Sequence, residues 1–104
     1  MAKLESSEIE RRLAAMPGWE LKDNAIVKLY RFENFPAAID FVNRIAVIAE
    51  SSDHHPDIGI NYTRVTFTCS THSAGGVTEK DFRLAGEIEA AFNARSGQSP
   101  PTRA

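Results

Sequence analysis

Three histidines carry the acid–base chemistry open to this chain near neutral pH. His54 and His55 are neighbours, His72 stands apart, and together they are all the histidine that the 104 residues contain. An imidazole has an ordinary pKa of about 6.5, so it can give or take a proton under physiological conditions. Carboxylates crowd the pair: Glu50 lies four residues before His54, and Asp53 and Asp57 bracket it. If a helix persists that far, Glu50 and His54 share a face, and the carboxylate is expected to hold the His54 tautomer. Ser70 and Thr71 precede His72 and offer hydroxyl and backbone groups. Zinc is the competing chemistry for such a set, and the spacing argues against it. Adjacent histidines rarely supply two ligands of one tetrahedral site, and the chain has no H-x-H or H-x-x-x-H element. Cys69 is alone, which excludes an internal disulfide and a paired-thiolate metal site. The plainest alternative is structural, because a histidine beside a helix end can serve as a partner of the helix dipole.

The elements that must position these side chains can be read from periodicity. Ile9, Leu13 and Met16 fall on one helical face over Ser7–Met16, with Ser7 and Glu10 spaced as a capping box and Pro17-Gly18 as the stop. Trp19–Lys22 and Ala25–Phe32 alternate as strands around an Asp23-Asn24 turn, which predicts a hairpin. Asn34 caps a long helix whose first turn tolerates Pro36 and whose apolar face is Ala38, Phe41, Val42, Ile45 and Ala49. Its pattern dies over Glu50–Asp53. Pro56 biases His55 towards extended backbone, the kind of irregular segment on which two adjacent histidines can share a pocket. Ile58, Ile60 and Tyr62 then share one parity and Val65, Phe67 and Cys69 the other, which predicts a second hairpin turning near Thr63-Arg64. Cys69 on the buried parity reads as a small hydrophobe, and Tyr62 as a packed strand residue. Thr78 and Asp81 start a last helix faced by Leu84, Ile88 and Ala91, with Asp81 read as a cap carboxylate and Gly86 as tolerated for close packing. All three histidines thus fall at junctions between elements, where a rigid scaffold presents side chains.

The order helix, hairpin, helix, hairpin, helix predicts an α+β domain of two layers, a single four-stranded antiparallel sheet with three helices on one face. Residues 1–95 are expected to form that one domain, and 96–104, with Pro100-Pro101, a flexible tail. The composition fits, at 42% apolar and 25% charged. A net charge of −2 provides no basic face for nucleic acid. No secretory leader or span of about 20 apolar residues is seen, so the expectation is a cytoplasmic protein without a membrane partner. Exposed strand edges predict self-association, as a homodimer or homotetramer.

The spaced set Glu50-(three residues)-His54-His55-Pro56-(five)-Tyr62-(nine)-His72-(eight)-Asp81 resembles the signature of the pterin-4a-carbinolamine dehydratases. The resemblance extends to Gly18-Trp19, Phe35-(five)-Phe41, Ser70-Thr71-His72, Gly75-Gly76-Val77-Thr78 and Leu84-Ala85, and covers about residues 5–92. It implies the same element order. It also implies loss of water from a 4a-hydroxytetrahydropterin, the product that aromatic amino-acid hydroxylases release, with no metal or organic cofactor beyond the pterin substrate. By this resemblance His54, His55 and His72 are the catalytic residues. Asp53, Ser70 and Thr71 line the pterin, with Pro56 and Ser73 beside them, and Glu50 is the supporting acid. Members of the family can also serve as dimerisation cofactors of a transcription regulator through a helix surface, and a non-catalytic pterin binder is a further alternative.

Overall fold

The chain's parity and caps build the expected two layers. The computed structural model describes residues 2–98, as α1 (Ser6–Leu13), β1 (Glu20–Lys22), β2 (Ala25–Arg31), α2 (Phe35–Ser52), β3 (Asp57–Asn61), β4 (Arg64–Cys69), a 3-10 turn (His72–Ala74) and α3 (Glu79–Gln98). The four strands form one antiparallel sheet in the order β1-β2-β4-β3, with three helices on one face. Register fixes what each face carries. Ile26, Lys28 and Tyr30 pair with Cys69, Phe67 and Val65, and Ile58 and Ile60 pair with Phe67 and Val65, so these side chains share the helix-covered face. Val65, Phe67 and Cys69 are fully buried there. Beneath the helices Tyr30, Phe41, Phe67 and Phe92 stack at 4.8–5.9 Å between ring centroids, tying β2 and β4 to α2 and α3. The opposite face carries no helix.

Local rules set most boundaries. Asn34 caps α2, its side chain accepting the Ala37 N–H at 2.8 Å, with Pro36 in the first turn. Thr78 caps α3 through a reciprocal pair: its hydroxyl accepts the Lys80 N–H at 3.2 Å, and Asp81 accepts the Thr78 N–H at 2.9 Å. Four expectations need correction. Helix α1 begins at Ser6 after an N-cap Glu5 whose side chain caps nothing, which leaves Ser7 inside the helix and unable to close a capping box. Helix α2 continues to Ser52 although its apolar stripe stops at Ala49, because the left-handed Asp53 caps it only there; the hydroxyls of Ser51 and Ser52 fold back onto the Ile48 carbonyl at 3.3 and 3.1 Å. The second hairpin turns one residue earlier than expected: Tyr62, at φ 57°, is an exposed turn residue and not a packed strand residue. Gly86 serves no close packing, since a Cβ built there would meet nothing within 4 Å. Helix α3 runs to Gln98, and residues 99–104 of the expected tail lie outside the described residues. Among the described residues no helix is long and apolar enough to cross a membrane.

Candidate active site

The C-terminus of α2 decides where the histidines go. Asp53 adopts the left-handed conformation, φ 55° and ψ 40°, which aspartate tolerates better than most side chains. That reversal lets the Asp53 N–H reach the Glu50 carbonyl at 3.2 Å and the His54 N–H reach the Ala49 carbonyl at 3.1 Å, so the last helical carbonyls are satisfied. The chain leaves the helix axis there, and the two adjacent imidazoles find different partners. His54 turns inward, only 13% exposed, with Nε2 2.6 Å from Oδ1 of a fully buried Asp81. His55 stays outside, 56% exposed, with Nε2 2.9 Å from Oε1 of Glu50, itself 82% exposed. The expected Glu50–His54 pair is therefore not formed. Glu50 holds the other imidazole, because the helical i, i+4 geometry ends at Asp53, one residue too soon.

Asp81 belongs to a buried chain of hydrogen bonds. Its Oδ2 accepts the Thr71 hydroxyl at 2.8 Å and the Thr78 N–H at 2.9 Å, while the Thr71 and Thr78 hydroxyl oxygens lie 2.8 Å apart. Thr71 spends its proton on Asp81, so Thr78 donates to Thr71 and accepts from Lys80. Both hydroxyls of this network, those of Thr71 and Thr78, are satisfied, as burial requires. With Oδ2 filled by two donors, Oδ1 accepts from His54 Nε2, and this network assigns the His54 tautomer. Nδ1 of His54 is then the nitrogen left for chemistry. On the far side a bridge between Thr71 and Gly76 closes the loop, Gly75 supplies its left-handed turn at φ 75°, and His72 opens the 3-10 turn between them as an exposed side chain.

An open cavity of about 470 Å³ lies between these two segments. Asp53, His54, His55 and Pro56 form one wall, and Ser70, Thr71, His72 and Ser73 the other. Eight of the nine residues singled out in the sequence line it; Glu50 does not, and reaches it only through His55. Asp57 and Lys80 line it as well. Sequence reasoning missed the Asp81–His54 contact. The signal was available: a cap carboxylate spends one oxygen on the helix and keeps the other for a second partner. Cys69, beneath the floor, is buried, and burial foremost, with the charges of Asp81 and Asp57, pushes its thiol up to about 12. It is no nucleophile at neutral pH. Among the described residues no three His, Cys, Asp or Glu side chains are grouped so as to hold a metal ion.

Residues 2–91 match the family model described as pterin 4 alpha carbinolamine dehydratase. A relative from Chloroflexus aurantiacus, which bears the provisional name pterin-4-alpha-carbinolamine dehydratase, is 52% identical over 89 residues, covering 86% of this chain and 96% of its own. One from Sulfolobus acidocaldarius with the same provisional name is 49% identical over 86 residues, covering 83% and 94%. A crystal structure described as a transcriptional coactivator/pterin dehydratase from Brucella melitensis superposes with a TM-score of 0.81 at 39% identity, over 85% of this chain and 96% of that one. A pterin dehydratase-like protein described as a RuBisCO assembly factor in the alpha-carboxysome shares the fold, with a TM-score of 0.57 at 22% identity, over 69% and 83%.

Proposed function

The chain belongs to the pterin 4 alpha carbinolamine dehydratase family, and we propose that it removes water from a 4a-hydroxytetrahydropterin to give the quinonoid dihydropterin. One observation carries the reading: three imidazoles face a single cavity, and one of them is backed by a buried carboxylate. The reaction breaks the C4a–O bond. Hydroxide leaves poorly, so an acid must give it a proton, and the N5 proton must depart to a base. His54 and His55 serve the hydroxyl. His54 does so through Nδ1, with Asp81 holding its other ring nitrogen and so the orientation of the ring. His72 orients the ring and takes the N5 proton. Asp53, Pro56, Ser70, Thr71 and Ser73 hold the pterin, and Glu50 supports the site through His55. Proton transfer among these groups needs no metal or organic cofactor. In the cell this activity would recycle pterin for an aromatic amino-acid hydroxylase in the cytoplasm, with the chain assembled as a homodimer or homotetramer.

The deciding experiment follows the absorbance of a freshly generated carbinolamine with and without the protein. We expect the protein to accelerate its decay, and His54→Ala and His55→Ala each to slow that decay by about 100-fold or more, the usual worth of a general acid or base. Decay at the uncatalysed rate would sink the dehydratase reading. Full activity in both folded variants would sink the assignment of the pair.

The Brucella melitensis structure carries the word coactivator in its description, which supports a second reading in which a helix surface binds a protein partner. Val47, 69% exposed on α2, is an apolar residue available to such a contact. Histidine variants that abolish dehydration yet leave a cellular phenotype intact would favour that reading over the enzymatic one.

A further inference from the structure

The three imidazoles of the site are not held alike. His54 has Asp81 and His55 has Glu50, whereas the His72 ring has no hydrogen-bond partner among the described residues. Its place depends on the backbone of the loop formed by residues 71–77. The Thr71–Gly76 bridge ties that loop to itself: the Thr71 N–H donates to the Gly76 carbonyl at 2.9 Å, and the Gly76 N–H donates back to Thr71 at 3.3 Å. Among the described residues, the loop's other backbone–backbone hydrogen bonds also stay inside it, with one exception. The Leu4 N–H, ahead of α1, donates to the Val77 carbonyl at 2.7 Å. Two packing contacts accompany that bond. Leu4 is half-buried against the core, and the methylene stem of Lys3 lies over Gly76, where an added Cβ would come within 3.1 Å of Lys3 Cδ. Gly76 and Val77 are buried, while His72 and Ser73 stay exposed.

We infer that Lys3 and Leu4 form a strap across the His72 loop, and that Leu4 is a positioning residue for His72. The inference rests on the dehydratase reading, in which His72 takes the N5 proton. A base must sit within hydrogen-bond reach of the proton it removes, and a displacement of about 1 Å can cost much of the rate. Thr71 and Thr78 pin the two ends of the loop on Asp81. Neither reaches the span between them, where two adjacent glycines leave the backbone unusually free. The strap closes on that span, with Lys3 on Gly76 and Leu4 on Val77. Losing the Leu4 bond leaves the Asp81 network intact and widens the range over which the His72 backbone moves.

The test is Leu4→Pro in the full chain, which removes the N–H and no atom of the site. Amide exchange at Gly76, read by NMR, is expected to quicken by about fivefold, the effect of one lost hydrogen bond. Core amides such as that of Phe67 should not change, and they report that the variant is folded. The kcat for a freshly generated carbinolamine is expected to fall by about fivefold as well. In a His72→Ala background, where His54 and His55 still serve the hydroxyl, Leu4→Pro is expected to lower kcat no further. A loss of equal size in both backgrounds, or wild-type kcat in Leu4→Pro, overturns the positioning role. Unchanged exchange at Gly76 overturns the strap itself. Should Leu4→Pro not fold, Leu4→Gly, which keeps the donor but removes the side chain that anchors the segment on the core, carries the same expectations. A wild type that accelerates no carbinolamine overturns the dehydratase reading and the positioning role with it, while the exchange rates still decide the strap.

Discussion

At the scale of single residues, the two carboxylates that hold the adjacent imidazoles differ mainly in burial. Asp81 is fully buried and receives hydrogen bonds from three groups, while Glu50 is an exposed partner of an exposed imidazole. Asp81→Asn keeps the shape but puts an amide where the network needs an acceptor, so buried donors lose their partner and the α3 cap weakens. We expect it to cost about 2–3 kcal/mol of stability, and to slow dehydration in whatever fraction stays folded. Glu50→Gln removes only a solvent-exposed pair and should cost less than about 0.5 kcal/mol. Urea denaturation of the two variants would check this, and equal losses would refute the ranking. The sequence revealed which residues surround the cavity because their spacing is tied to element ends. It hid which carboxylate serves which imidazole, since the left-handed Asp53 breaks the helical register on which the Glu50–His54 pairing was premised.

At the scale of elements, the caps made by a local side-chain hydrogen bond were legible and the one without such a bond was not. Thr78–Asp81 and Asn34 act where a local hydrogen bond fixes the start, whereas α1 starts where Leu4 donates to the Val77 carbonyl at 2.7 Å, a contact with a distant loop. Tyr62 escaped notice for a related reason. A bulky residue at positive φ is disfavoured locally and is held there by the strands on either side, which no propensity anticipates. Gly86 sits inside α3 with open space around its missing side chain. Gly86→Ala should therefore stabilise the protein by about 0.5–1 kcal/mol, through better helix propensity and a less flexible unfolded chain. A lower thermal midpoint for the variant would show that the position makes a contact that the chain alone does not reveal.

At the scale of the whole molecule, ion pairs between residues far apart in sequence pin helix to helix and helix to sheet. Arg12 of α1 forms a two-pronged pair with Glu79 of α3 at 2.7 and 2.6 Å, and Glu89 of α3 receives Lys28 at 2.9 Å and the Tyr30 hydroxyl, both from β2. Such pairs join residues about sixty positions apart, and neither periodicity nor spacing encodes them. Burial alone would raise the Glu89 carboxyl, but hydrogen bonds from Tyr30 and Lys28 and the ammonium charge outweigh it and hold it below its ordinary 4.5. A carboxyl lowered in the folded state contributes stability above its unfolded value, and that contribution is lost as pH falls through the folded one. Wild-type stability should thus fall more steeply than that of Glu89→Gln once pH drops below about 4.5, as acid titrations followed by circular dichroism would show; parallel curves would contradict it. The one-sided layering has a further consequence. Replacing Val65 or Phe67 empties a packed core at a cost of a few kcal/mol, but replacing Thr66 or Thr68, which alternate with them on the other face, leaves every core contact in place. Along a single strand, then, alternate codons answer to different selective pressures, and descendants of one ancestral chain are free to diverge in what they hold without risking the ability to fold.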